Sequence, residues 1–150
     1  DYIITGPGDL YASIIPNLLV DGIKEALMKT KAKVIYILNL MTKSGQTTNY
    51  KATDHLKDIS SYFGKIPHFV IVNNGPIPKD ILEWYDREHE HVVADDLNSK
   101  NYKGKVVIGD IVDRKKFVQE ESDKFVDPLV RSILRHSSKK LAEVLLKIIT

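Results

Sequence analysis

Short apolar runs of strand length alternate along this chain with segments whose apolar positions recur at helical spacing. The runs fall near residues 2–4, 34–38, 68–72, 91–94 and 105–109, where Val, Ile, Tyr and Phe favour extended backbone. Between the first two runs, "GIKEALMKT" reads as a helix capped by Asp21. Its apolar face would carry Ile23, Leu27 and Met28, and its lysine-rich exit at 29–33 suits a helix carboxyl end. "ATDHLKDISSYFG" follows the same pattern, with Leu56, Ile59 and Phe63 inward and Gly64 as the stop. Strands separated by helices predict βαβ units and an α/β, Rossmann-like fold: a mainly parallel sheet with helices on both faces. After Asp110 the chain reads as helix-rich, broken by Pro128 and restarted by Ser137 or Ser138 as an N-cap. In the last helix, Leu141, Val144, Leu145, Ile148 and Ile149 form a stripe that suits core packing, or a partner helix as the alternative.

Composition narrows this picture. The 150 residues suit about one domain with one core. Twenty-two basic and 20 acidic residues leave a formal charge of +2, so no overall field draws the chain to nucleic acid or an anionic membrane. No cysteine is present, which excludes a disulfide framework and thiolate chemistry and fits a cytoplasmic location. The longest stretch without a charged residue or histidine, Leu10 to Val20, contains Pro16 and falls short of the ~20 residues of a membrane span. The polar segment 96–104 reads as the most exposed connection. Tyr2, Ile3 and Ile4 read as the end of a strand already under way, so we expect residues 1–150 to be one α/β domain forming the carboxyl-terminal part of a longer protein.

Parallel sheets place ligands beyond the carboxyl ends of their strands, so the residues leaving each strand carry the functional information. Three exits are polar: Thr5-Gly6-Pro7-Gly8-Asp9, Asn39-Leu40-Met41-Thr42 and Asn73-Asn74-Gly75-Pro76. Asparagine offers both an acceptor and donors, which suits a nucleobase, ribose or sugar; turn formation explains any single exit equally well. The first exit lacks the Lys-Ser/Thr of a P-loop and the third glycine of the dinucleotide fingerprint. Its glycines nevertheless let backbone N–H groups approach a ligand, and a helix starting near Asp9 would turn its positive end there. Pro16 suits the first turn of a second helical piece.

Catalytic patterns are sparse. Asp54 and His55 are neighbours, about 100° apart on a helix, and suit capping by Thr53 or Asp54 beside a packed or surface histidine better than a dyad. Asp95, Asp96 and Asp110 come after strand-like runs, where they either cap the next helix or hold magnesium with substrate phosphates. His89 and His91 fit a solvated loop or strand alternation more simply than a metal site. His136, just before a cap, reads as structural.

Four ordered stretches, "GPGDLYASIIPNLLVDGIKEAL", "IYILNLMTKSGQTTNYKATDHL", "VIVNNGPIP" and "RHSSKKLAEVLLKI", resemble the second half of the 2-phospho-L-lactate transferase-like (CofD-like) superfamily, in its bacterial gluconeogenesis-factor (YvcK-like) branch. The resemblance implies a cytoplasmic Rossmann-like protein that binds a uridine-diphosphate (UDP) sugar and supports cell shape and wall synthesis during gluconeogenic growth. It implies no certain cofactor. The related transferases move a phospholactyl group onto a deazaflavin precursor with magnesium, which makes a magnesium-dependent transferase the alternative and a non-enzymatic interaction module the second. A homo-oligomer is compatible with either. The family's amino-terminal glycine-rich phosphate loop has no counterpart in these residues. Gly6, Gly8, Asn39, Thr42, Gly45, Asp54, Asn73 and Asn74 match family motifs and are the expected ligand-binding residues. Asp9 stands where a hydroxyl residue is common, Ala12 where threonine is frequent, and Lys43-Ser44-Gly45-Gln46 where the family has Gln-Pro-Gly-Glu. The carboxylate of that loop is thus replaced by Gln46, with Thr47, Thr48 and Tyr50 left as hydroxyl contacts.

Overall fold

A computed structural model describes residues 1–115 and 133–150. β-branched and aromatic residues build four parallel strands, β1 (Tyr2–Thr5), β2 (Lys33–Ile37), β3 (Phe69–Asn73) and β4 (Lys105–Gly109), in the order β1-β2-β3-β4. The register pairs Ile3 with Val34, Ile35 with Phe69 and Ile71 with Val107, so all four strands end at the same edge.

Alternation along the strands separates two cores. Val34, Tyr36, Leu38, Val70 and Val72 face a cluster closed by Leu10, Ile14, Leu56, Ile59 and Phe63. Ile35, Ile37 and Ile71 face Ile81, Tyr85, Ile111, Leu141 and Val144 on the other side. The first cover comprises a π-helical turn (Leu10–Ile14) running into α1 (Ile15–Leu18), together with α3 (Ala52–Phe63). The second comprises α4 (Lys79–Arg87) and α5 (Ser138–Ile149). Helices therefore cover both faces, as the α/β reading expects.

Local signals account for most boundaries. Pro16 occupies the first turn of α1, where its missing N–H costs nothing. Gly64 ends α3 in the left-handed conformation at φ 72°. The Ser137 hydroxyl accepts the Lys140 N–H at the start of α5. Leu141 and Val144 are buried there and Leu145 and Ile148 half-buried against the sheet, whereas Ile149 is exposed. The expected break at Pro128 lies outside the described residues.

Three expectations are corrected. Residues 91–94 do not join the sheet: they make isolated bridges, Met41 with Val92 and Lys51 with Ala94, lacing the loop after β2. The cap of α2 (Ile23–Lys29) is Gly22 at φ 84°, not Asp21. The face expected to be buried on α2 stays open, with Ile23 and Met28 exposed and only Leu27 resting on the core. The connection 96–104 is largely exposed but pinned by buried Tyr102, whose hydroxyl donates to the Pro67 carbonyl at 2.9 Å.

Candidate functional site at the carboxyl edge of the sheet

The loop after β1 approaches the end of β2 closely. Gly6 holds φ 87°, and a Cβ there would lie 3.0 Å from the Ile37 carbonyl oxygen, so both conformation and space select glycine. Asn39 Nδ2 donates to the Gly8 carbonyl at 2.8 Å, joining the first two exits directly. Asp9 does not cap with its side chain; its carbonyl accepts from Ser13 and Ile14, and its charge helps stabilise the Lys43 ammonium across the gap. A cavity of about 290 Å³ borders this loop, lined by Thr5, Gly6, Pro7, Ser13 and Asn17 with apolar Ile4, Ile14 and Leu18.

The third exit is tied to the end of β4. Asn73 Oδ1 accepts from the Gly75 and Ile111 N–H groups, and its Nδ2 donates to the Gly75 carbonyl at 2.9 Å. Its side chain is therefore occupied within the loop. Asn74 is exposed, while its backbone N–H holds the Gly109 carbonyl at 3.1 Å. Gly75 packs against Asp110: an added Cβ would fall 2.0 Å from Oδ1 of that carboxylate. His136 brings its Nε2 to within 3.3 Å of the Leu38 carbonyl, and Ser137 N–H donates to the Ile111 carbonyl, so the second and third exits share one framework. Burial pushes the His136 imidazole below its ordinary pKa.

Several expected ligand contacts have work inside the fold instead. Thr42 is buried and exchanges hydrogen bonds with His91, its hydroxyl accepting the His91 N–H at 2.8 Å. Asp54 accepts the Lys51 N–H at the start of α3, the capping role foreseen for it. Thr47 and Thr48 hydroxyls accept from Lys43 and Gly45 N–H groups, and Tyr50 donates to Asp58, so these three hydroxyls brace their own loop. Gly45, exposed at φ 75°, forms its tip. Buried Glu90 pairs with Lys43 Nζ at 2.9 Å; burial is the largest effect and opposes the lysine's charge, but the Glu90 bond together with the charges of Glu90 and Asp9 offsets it and the pKa rises.

The carboxylates are also engaged. Arg114 (2.7 Å) and Lys140 (3.0 Å) both hold Asp110 Oδ2, lowering its pKa through these bonds. Asp96 accepts from the Thr53 N–H and hydroxyl; burial is the largest effect and opposes its charge, but these bonds, with its own backbone N–H and the Lys51 charge, offset it and lower its pKa. Among the described residues no group of three or more acidic or histidine side chains is arranged to hold a metal ion.

Two networks, one half-buried around Asp58 and one around buried Tyr36 and His55, went unread in the sequence. Tyr11 and Tyr50 share Asp58, raising the Tyr11 pKa, and Tyr36 meets both Asn39 and His55. The Asp58 partners are 8 and 47 residues away from it, and local spacing carries no signal for such pairings.

A parallel sheet covered on both faces, with polar loops gathered at its carboxyl edge, defines a Rossmann-like α/β protein. The chain belongs to the 2-phospho-L-lactate transferase CofD family, whose model matches residues 1–112. A Thermotoga maritima protein is 39% identical over 99% of this chain and 44% of its own length. The gluconeogenesis factors of Halalkalibacterium halodurans and Bacillus subtilis are 37% and 35% identical, over 98% and 99% of this chain and 42% and 43% of theirs. The crystal structure of a UPF0052 family member from Bacillus halodurans superposes with a TM-score of 0.78 at 33% identity, covering 97% of this chain and 43% of that one. This chain thus spans less than half the length of these relatives. Among the described residues, no helix is long and apolar enough to cross a membrane.

Proposed function

We propose that this chain contributes the carboxyl-terminal part of a nucleotide-sugar site in a cytoplasmic protein that supports gluconeogenic growth, cell shape and wall synthesis. The observation that carries this reading is the junction of Gly6–Gly8 with Asn39 at the carboxyl edge, through the 2.8 Å bond from Asn39 to the Gly8 carbonyl. Glycine backbone beside asparagine amides suits a diphosphate next to a sugar or base. Gly6, Gly8, Asn39, Gly45 and Asn74 are the contacts we assign, with Thr42, Asp54 and Asn73 supporting them from within. The relatives named gluconeogenesis factor support the part concerning gluconeogenic growth.

The family model's own name supports a second reading, a phospholactyl transferase, for which magnesium would be the expected cofactor. Asp110, packed against Gly75 of the third exit, is a carboxylate that such chemistry would use, but Arg114 and Lys140 already hold its Oδ2. Calorimetry with a panel of UDP-sugars separates the readings. Magnesium-independent binding without turnover is expected. Absence of binding to every UDP-sugar overturns the proposal, and magnesium-dependent consumption of a phospholactyl donor selects the transferase.

A further inference from the structure

His55 is fully buried on α3, and its Nε2 has no hydrogen-bond partner. Its Nδ1 lies 3.4 Å from the Tyr36 hydroxyl, which lies 3.3 Å from Asn39 Oδ1, while Asn39 Nδ2 reaches the Gly8 carbonyl. We propose that His55 is a positioning residue for the first glycine loop, held as the Nδ1-protonated tautomer and acting through Tyr36 and Asn39 to fix the Gly8 carbonyl.

The direction of this relay is set at its far end. A backbone carbonyl can only accept, so the Asn39 amide nitrogen must face Gly8 and its oxygen must face Tyr36. Tyr36 has a single proton, which it must give to that oxygen. Its hydroxyl oxygen can then only accept from His55, which requires the proton on Nδ1. Nε2 is left as a bare acceptor, and an orphaned acceptor is better tolerated in a core than an orphaned N–H. The Tyr50 ring stands perpendicular to the imidazole at 5.6 Å, and Asp54 and Asp58 are the carboxylates whose charge reaches it. Burial outweighs both carboxylates and pushes the pKa down to about 4, so the imidazole is neutral near pH 7.

The role in ligand binding rests on the reading of the loop as a nucleotide-sugar cradle; the relay itself is tested without ligand. Nitrogen-15 NMR of the ligand-free protein should show a protonated Nδ1 and a bare Nε2 on His55. Asparagine places its amide nitrogen where Nδ1 stood, and glutamine where Nε2 stood. His55→Asn should therefore keep the Gly6, Gly8 and Asn39 resonances near their native positions, and His55→Gln and Tyr36→Phe should displace them. Tyr36→Phe removes one oxygen while keeping the ring, so it remains informative if a His55 variant fails to fold. It should also weaken UDP-sugar binding by about fivefold or more, the lower end of coupling between linked sites. An Nε2-protonated His55, or loop resonances untouched by Tyr36→Phe, overturns the relay. Correct tautomer and loop shifts without any UDP-sugar binding would leave the relay standing and remove the nucleotide-sugar reading instead.

Discussion

Asn73 and Asn74 are adjacent in sequence and opposite in role. Asn73 satisfies two backbone N–H groups and one carbonyl, so Asn73→Ala should cost about 1–3 kcal/mol of stability in denaturant titration. Asn74→Ala should leave stability within about 0.5 kcal/mol and act instead on UDP-sugar affinity. Gly75 is the tightest glycine of the site, and Gly75→Ala must displace Asp110. It should destabilise by about 2 kcal/mol or more, and much of that loss should disappear in an Asp110→Ala background, measured as a double-mutant cycle. Additive losses would show that the two do not meet. Buried His55 and half-buried His136 set a pH dependence. The His55 pKa is near 4 when folded, against an ordinary 6.5, so below pH 6.5 the unfolded chain binds a proton that the native protein does not. Stability is therefore complete above pH 6.5 and falls as pH drops toward 4, by about 3 kcal/mol from His55 alone. His136 adds in the same direction. The gap between denaturation midpoints at pH 7 and pH 5 should narrow in His55→Asn, leaving the His136 share; an unchanged gap would place the effect elsewhere.

At the level of elements, legibility followed how local each cause is. The apolar spacing of α3 and its Gly64 stop lie within one stretch, and so do the serine cap and apolar stripe of α5; all can be read from neighbouring positions. The stripe makes a sharp contrast testable by thermal melting. Val144, buried near Gly109, should cost roughly 1–3 kcal/mol on replacement by alanine, whereas exposed Leu146 should cost less than about 0.5 kcal/mol. Comparable losses would mean that α5 is not docked by its Leu141/Val144 face. Periodicity was silent where tertiary contacts decided the outcome. Residues 91–94 have strand composition, but the Thr42 and Lys51 regions claim their backbone before a sheet neighbour can. α2 has an amphipathic pattern, yet it contacts the rest through Leu27 and the approach of Met28 to Gly64, leaving its other apolar residues in the open.

For the molecule as a whole, the parallel sheet and the edge that gathers its exits were readable, because alternating apolar runs and helical segments leave few other topologies. The division of labour within the edge was not. Asn39 meets Gly8 from 31 residues away and Thr42 meets His91 from 49, distances at which sequence motifs identify residue types but not partners. The candidate site residues consequently fall into two groups: Gly6, Gly8, Asn39, Gly45 and Asn74 on the loops themselves, and Thr42, Asp54 and Asn73 behind them. In the proposed function the carboxyl edge of this sheet receives a nucleotide sugar, and amide chemical shifts followed through a UDP-sugar titration map where it binds. Saturable shifts should concentrate at Gly6, Gly8, Asn39 and Asn74 and leave the opposite edge, at Lys33, Phe69 and Lys105, unchanged. Saturable shifts at that opposite edge, with Gly6 to Asn39 unmoved, would place the nucleotide sugar elsewhere on the protein and overturn the proposed site.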